Sequence, residues 1–146
     1  NSCYNNDMPK IEALASDRIL PTDYFTIALL APDTFDPEFF DELALRLGGG
    51  QSQAFLKYVV ADNKMFVFPD ARHFNHVDFF EFVIGGRGEL QSAGSISLIT
   101  EGDGTVSRSI GGDAMTLMRL LQQEQSKSYR RTMIADKLSG FFEIKE

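Results

Sequence analysis

The chain has 146 residues, 43% of them hydrophobic, with 13 Phe and no Trp. That is the length and composition of one globular domain, able to bury about two-thirds of its unfolded surface without disulfides or metal. A net charge of −7 argues against a general binder of nucleic acid or anionic membrane, and a single cysteine excludes an internal disulfide or a multi-cysteine zinc site.

The first residues are Asn1-Ser2-Cys3, then polar Asn5, Asn6 and Asp7. Cys3 sits where the acylated cysteine of a bacterial lipoprotein sits, with small Ser2 before it and a polar tether behind. An incidental free thiol is the other reading. No apolar run approaches the ~18 residues of a membrane span. Residues 1–21 are read as this tether plus a short helix, and residues 22–146 as a single α+β domain. The helix is expected over 9–20, with Pro9 near its first position and Ile11, Leu14, Ala15 and Ile19 at helical spacing.

Residues 24–30 (YFTIALL) form a strand candidate. Asp36 is a natural N-cap with Pro37 next to it, and Phe39, Phe40, Leu43, Ala44 and Leu47 repeat at helical period until Gly48-Gly49-Gly50. A run of short strands follows at 53–60, 65–68, 76–84, 89–100 and 105–110, separated by Asp62-Asn63, a 70–75 loop, a Gly85–Gly88 turn and Glu101-Gly102-Asp103-Gly104. Short links of this kind favour an antiparallel meander. Segments 65–68 and 77–84 are apolar on both faces, so helices are expected to cover them on each side. In 89–99 one face carries Gln91, Ala93, Ser95, Ser97 and Ile99, so that face is partly wet or closely covered. Asp113 starts a final helical region through Leu138, and Phe141, Phe142 and Ile144 form a last strand or docking tail. The expected fold is α+β: a mainly antiparallel sheet of about six or seven strands packed with three or four helices.

Chemical motifs are sparse. Asp70, His73, His76 and Asp78 make the pattern D-x-x-H-x-x-H-x-D, but its segment reads as a loop running into a strand, which does not bring the imidazoles together. No metal and no cofactor are expected. Asp78 and Glu81 have opposite parity in a strand and point to opposite faces. Glu81, among apolar neighbours, calls for a partner such as Arg108. The Gly48–Ser52 and Gly85–Gly88 stretches lack the residues of a phosphate loop, and Glu101 with Asp103 offers too few oxygens for calcium. The phenylalanines between Phe66 and Phe82 read as core. No catalytic set emerges, and no catalytic residue is assigned.

What remains is loops on a rigid sheet, a common recognition device. Alternating strands put Asp62 and Arg87 at one end, and Arg72, His73, Phe74, Asn75, Glu101 and Asp103 at the other. These eight are the candidate partner-binding residues, with Phe74 expected as an apolar loop tip. Net charge is −6 over residues 1–50, −3 over 51–104 and +2 over 105–146. The stretch from Asp33 to Glu42 is the most acidic; it reads as a solvated helix start, or as a surface for a basic partner.

A small acidic domain with Cys3 at a lipoprotein-like position, no catalytic set and polar loop ends resembles the periplasmic immunity proteins of type VI secretion effectors that degrade peptidoglycan. The resemblance is one of general character, and Cys3 is its one motif-like residue. It implies a non-enzymatic protein, periplasmic and lipid-anchored at Cys3, that binds a cognate secreted cell-wall hydrolase and plugs its cleft with loops. Glu101, Asp103, Ser92, Ser95 and Ser97 are the polar groups suited to that task. Two alternatives are a small-ligand or envelope accessory domain with a pocket between sheet and helices, and an enzyme using His73, His76 and Asp70.

Overall fold

The computed structural model describes residues 19–28, 36–49, 52–86, 88, 90–112 and 142–144. Within them a six-stranded sheet has the order β1-β3-β2-β4-β5-β6. The strands are β1 (Phe25–Ala28), β2 (Gln53–Ala61), β3 (Lys64–Pro69), β4 (Leu90–Thr100), β5 (Val106–Gly112) and β6 (Glu143–Ile144). Every pairing is antiparallel except the last, in which β6 runs parallel to β5. The mainly antiparallel α+β architecture therefore stands. The helical cover differs from expectation. Two α-helical segments are described, α1 (Pro37–Leu47) and the short α2 (His76–Asp78), the latter continuing as a π-helix over Phe79–Val83. The helices expected over 9–20 and 113–138 lie essentially outside the described residues, as does Cys3.

Local chemistry accounts for each element. Asp36 caps α1 by accepting from the N–H groups of Glu38 (3.0 Å) and Phe39 (3.4 Å), and Pro37 occupies a position where its missing N–H costs nothing. Asp62 (φ 52°) and Asn63 (φ 59°) take the left-handed conformation of a two-residue hairpin between β2 and β3, a conformation that Asp and Asn tolerate. The Asn63 N–H then donates to Gln91 Oε1 at 3.1 Å, tying that hairpin to the start of β4.

The sheet has two unlike faces. On one, Phe40, Leu43, Ala44 and Leu47 of α1 meet Leu56, Tyr58, Val60, Met65, Val67, Ile96, Leu98 and Ile110, all buried. Phe25 and Phe142 close this core edge-on against Phe40, each at 5.4 Å between ring centroids. The other face carries a second cluster of Val59, Ala61, Phe66, Phe68 and Phe79, with Tyr24, Phe74, Phe80, Val83 and Ile84 packed on it. Phe79 stacks on Phe68 at 4.0 Å and 8° between planes. Each such ring taken from water stabilises the fold by roughly 2–3 kcal/mol.

The second cluster corrects the sequence reading. Residues 76–84 form no strand; they are a helical strap laid over β3 and β2. Its start is fixed by a capping box: Asn75 Oδ1 accepts from the Asp78 N–H (2.9 Å) and Asp78 Oδ2 from the Asn75 N–H (3.0 Å). The wider π turn lets Phe79 stay fully buried while Phe80, Val83 and Ile84 also reach the cluster. Glu81 is exposed on this strap and does not meet Arg108. Arg108 instead forms a two-pronged ion pair with Asp41 of α1, Nε to Oδ1 at 2.8 Å and Nη2 to Oδ2. That carboxylate raises the guanidinium pKa further above its ordinary value, through hydrogen bonding first, against partial burial that lowers it.

Candidate functional site

The strap covers only part of its face. Register places Phe55, Lys57 and Val59 of β2 beside Ser97, Ser95 and Ala93 of β4, and Ser95, Ser97 and Ile99 beside Gly111, Ser109 and Ser107 of β5. Among the described residues the strap lies over Val59 and leaves the β4 and β5 side open. There Phe55, Leu56, Asp70, Ser95, Ile96, Ser97, Ser109 and Gly111 line a shallow groove of about 210 Å³. Phe55 is 51% exposed and Ile99 38%, in strands whose opposite face is sealed.

Lys57 holds the groove's edge in place. Its ammonium donates to the carbonyls of Ala71 (3.1 Å) and Phe74 (2.8 Å) and pairs with Asp70 Oδ1 at 3.3 Å. Two donors go to carbonyls and the charge is paired with Asp70, so the cation is spent on fixing the 70–75 loop. His76 reaches across the same face, with Nε2 2.7 Å from the Gly94 carbonyl oxygen. A carbonyl only accepts, so this nitrogen carries the proton.

The sequence-predicted residues fall as follows. Arg72 and His73 are exposed in the loop that Lys57 anchors, and Asn75 is the strap's cap. Phe74 is not an exposed tip: its ring packs edge-on to Phe68 and Phe79, each at 6.4 Å. Glu101 and Asp103 are exposed in the β4–β5 turn, where Ser107 Oγ donates to Glu101 Oε1 at 3.2 Å. Hydrogen bonds from the hydroxyl and the N–H of Thr105 (N to Oδ1, 2.9 Å) hold the Asp103 carboxyl below its ordinary pKa of 3.8. The 70–75 loop and this turn share one end of the sheet, since Pro69 pairs with Leu56 and the Thr100 N–H donates to Ser52 O. Asp62 lies at the other end, and Arg87 is outside the described residues. Ser92 is buried at 3% exposure, whereas Ser95 and Ser97 floor the groove.

Sequence reasoning did not single out Phe55, Lys57, Ser109 or Gly111. The signal was the parity of QAFLKYVVA, in which Phe55 and Lys57 alternate with buried Ala54, Leu56 and Tyr58. The histidines of the D-x-x-H-x-x-H-x-D pattern diverge, and among the described residues no three His, Cys, Asp or Glu side chains are grouped to hold a metal. Among the described residues no helix is long and apolar enough to cross a membrane. No family model, curated protein or solved structure matches the chain.

Proposed function

We propose that this protein is a non-enzymatic inhibitor that binds a cognate secreted cell-wall hydrolase in the periplasm and occludes its substrate cleft. The observation that supports this reading is the open half-face: an exposed aromatic and an exposed isoleucine on rigid central strands, bounded at one end by the Asp70–Asn75 loop and the Glu101–Asp103 turn. Large apolar groups held on a stiff scaffold lose little side-chain freedom on binding, which is what an interface anchor requires. Acid at the rim adds attraction to a basic partner and a faster encounter. The alternative of a ligand pocket between sheet and helix is less favoured, because the α1 side of the sheet is filled by buried side chains.

The test pairs the purified protein with any secreted cell-wall hydrolase encoded beside its gene. Co-elution in size-exclusion chromatography and loss of peptidoglycan clearance are expected. A hydrolase that neither co-elutes nor loses activity overturns the reading.

A further inference from the structure

We propose that the groove between the strap loop and β5 is the anchor pocket of that interface, taking one apolar side chain that a lysine or arginine flanks in the partner. The inference rests on the inhibitor reading above and names the chemistry of its contact.

Two observations carry it. The first is size and lining. At about 210 Å³ the groove is smaller than the ~300–1,000 Å³ clefts that hold cofactors and drug-sized ligands, and it suits a single side chain. Its floor is low because Ser95, Ser97, Ser109 and Gly111 stop at a hydroxymethyl or less, and the Phe55 ring stands beside them as a wall. Among the described residues the three serine hydroxyls hold no hydrogen bond, so they are available to the backbone of an inserted segment.

The second is charge. Asp70 and Lys57 offset each other as an ion pair, which leaves Glu101 and Asp103 as the exposed carboxylates at this end of the sheet and Arg72 as the exposed cation in the 70–75 loop. Within a chain of net charge −7, a cationic flank is attracted and an acidic or phosphorylated segment is repelled.

The probes are three peptides, acetyl-GKFKG-amide, acetyl-GKSKG-amide and acetyl-GEFEG-amide, titrated into the labelled full chain and followed by NMR. The first is expected to give saturable shifts at the amides of Phe55, Ser97, Ser109 and Gly111. The other two bind at least about tenfold more weakly. Phe55→Ser and Ser97→Phe, both with unchanged circular dichroism, abolish the shifts, and Phe82→Ser, at a strap residue 76% exposed, leaves them intact. No saturable shift up to about 10 mM peptide, or equal shifts with the glutamate peptide, overturns the proposal; a groove filled by the chain's own residues gives the first of these results. Co-elution and inhibition of the hydrolase are read separately. A hydrolase that is bound and inhibited equally well by Phe55→Ser overturns the anchor pocket alone, whereas one that is never bound overturns the inhibitor reading.

Discussion

Replacing Lys57 with methionine keeps the aliphatic stem on β2 and removes the charge that pins the 70–75 loop. Two carbonyls, Ala71 O and Phe74 O, then lose a charged donor in a place where the Lys57 side chain is only 14% exposed. Hydrogen bonds to a charged group contribute about 1.5–3 kcal/mol each. The carbonyls regain some water when the loop loosens, and an apolar side chain is easier to bury there than an ammonium. The expected net loss is about 2–3 kcal/mol, or a fall in Tm of roughly 5–10 °C for a chain of this size. Asp70→Asn is the control. Asp70 is 45% exposed, so its ion pair contributes at most about 1 kcal/mol, and the two carbonyl bonds survive. Urea unfolding measures the global change, and hydrogen exchange at the amides of Phe79 and Ile84, which close the strap's turns onto Asn75 O and Phe79 O, reports the local one. A Lys57→Met variant within about 0.5 kcal/mol of the parent, with unchanged exchange at both amides, refutes the assignment of Lys57 as the strap's anchor.

Other consequences follow from close contacts and charges. A Cβ at Gly94 would lie 2.0 Å from Gly111 O and 2.7 Å from Tyr58 Cε2, and the Tyr58 hydroxyl donates to that same Gly111 O at 3.3 Å; Gly94→Ala is expected to cost more than about 3 kcal/mol in urea unfolding. Breaking the partly buried Arg108–Asp41 pair with Asp41→Asn is expected to cost about 1–2 kcal/mol, with a deficit that shrinks at 1 M salt in the same assay. Asp103 titrates below 3.8 in the folded chain, so its contribution to stability is present above the unfolded pKa and is lost as pH falls through the folded value. Carbon-detected NMR titration reads that midpoint directly, and Thr105→Ala moves it back towards 3.8.

The sheet, its α1 cover and its turns were legible because short-range chemistry sets them: Asp36-Pro37 for the helix start, Asp62-Asn63 for the hairpin, and alternation for β2 and β4. The strap was not. Val77, Phe79, Phe80, Phe82 and Val83 have strand propensity, and tertiary packing against Phe68 overrode it. A local signal was present in Asn75-x-x-Asp78, the spacing of a capping box. The 70–75 loop and the 101–104 turn share one end of the sheet and the Asp62-Asn63 hairpin lies at the other, as strand alternation implied. The polar parity of Ser95 and Ser97 disclosed the open face. Phe55 as its wall was hidden, since one exposed aromatic in an apolar run carries no sequence mark. Phe74 was misplaced for the converse reason: its burial depends on Phe79, a partner made available only by the helical turn.

The two borders of the sheet differ from its middle in a way that bears on solubility. Among the described residues β1 offers four residues and β6 two, against nine and eleven in β2 and β4. Outer strands this short give another chain little ladder to extend. β6 also masks Ser109 and Ile110 of the seven-residue β5, while adjoining Phe142 rests on Phe40. A chain ending before residue 142 would present the flank of β5 as a longer bare strand and leave Phe40 without its covering ring. Self-association that grows with protein concentration, rather than simple unfolding, is the failure such a truncation invites.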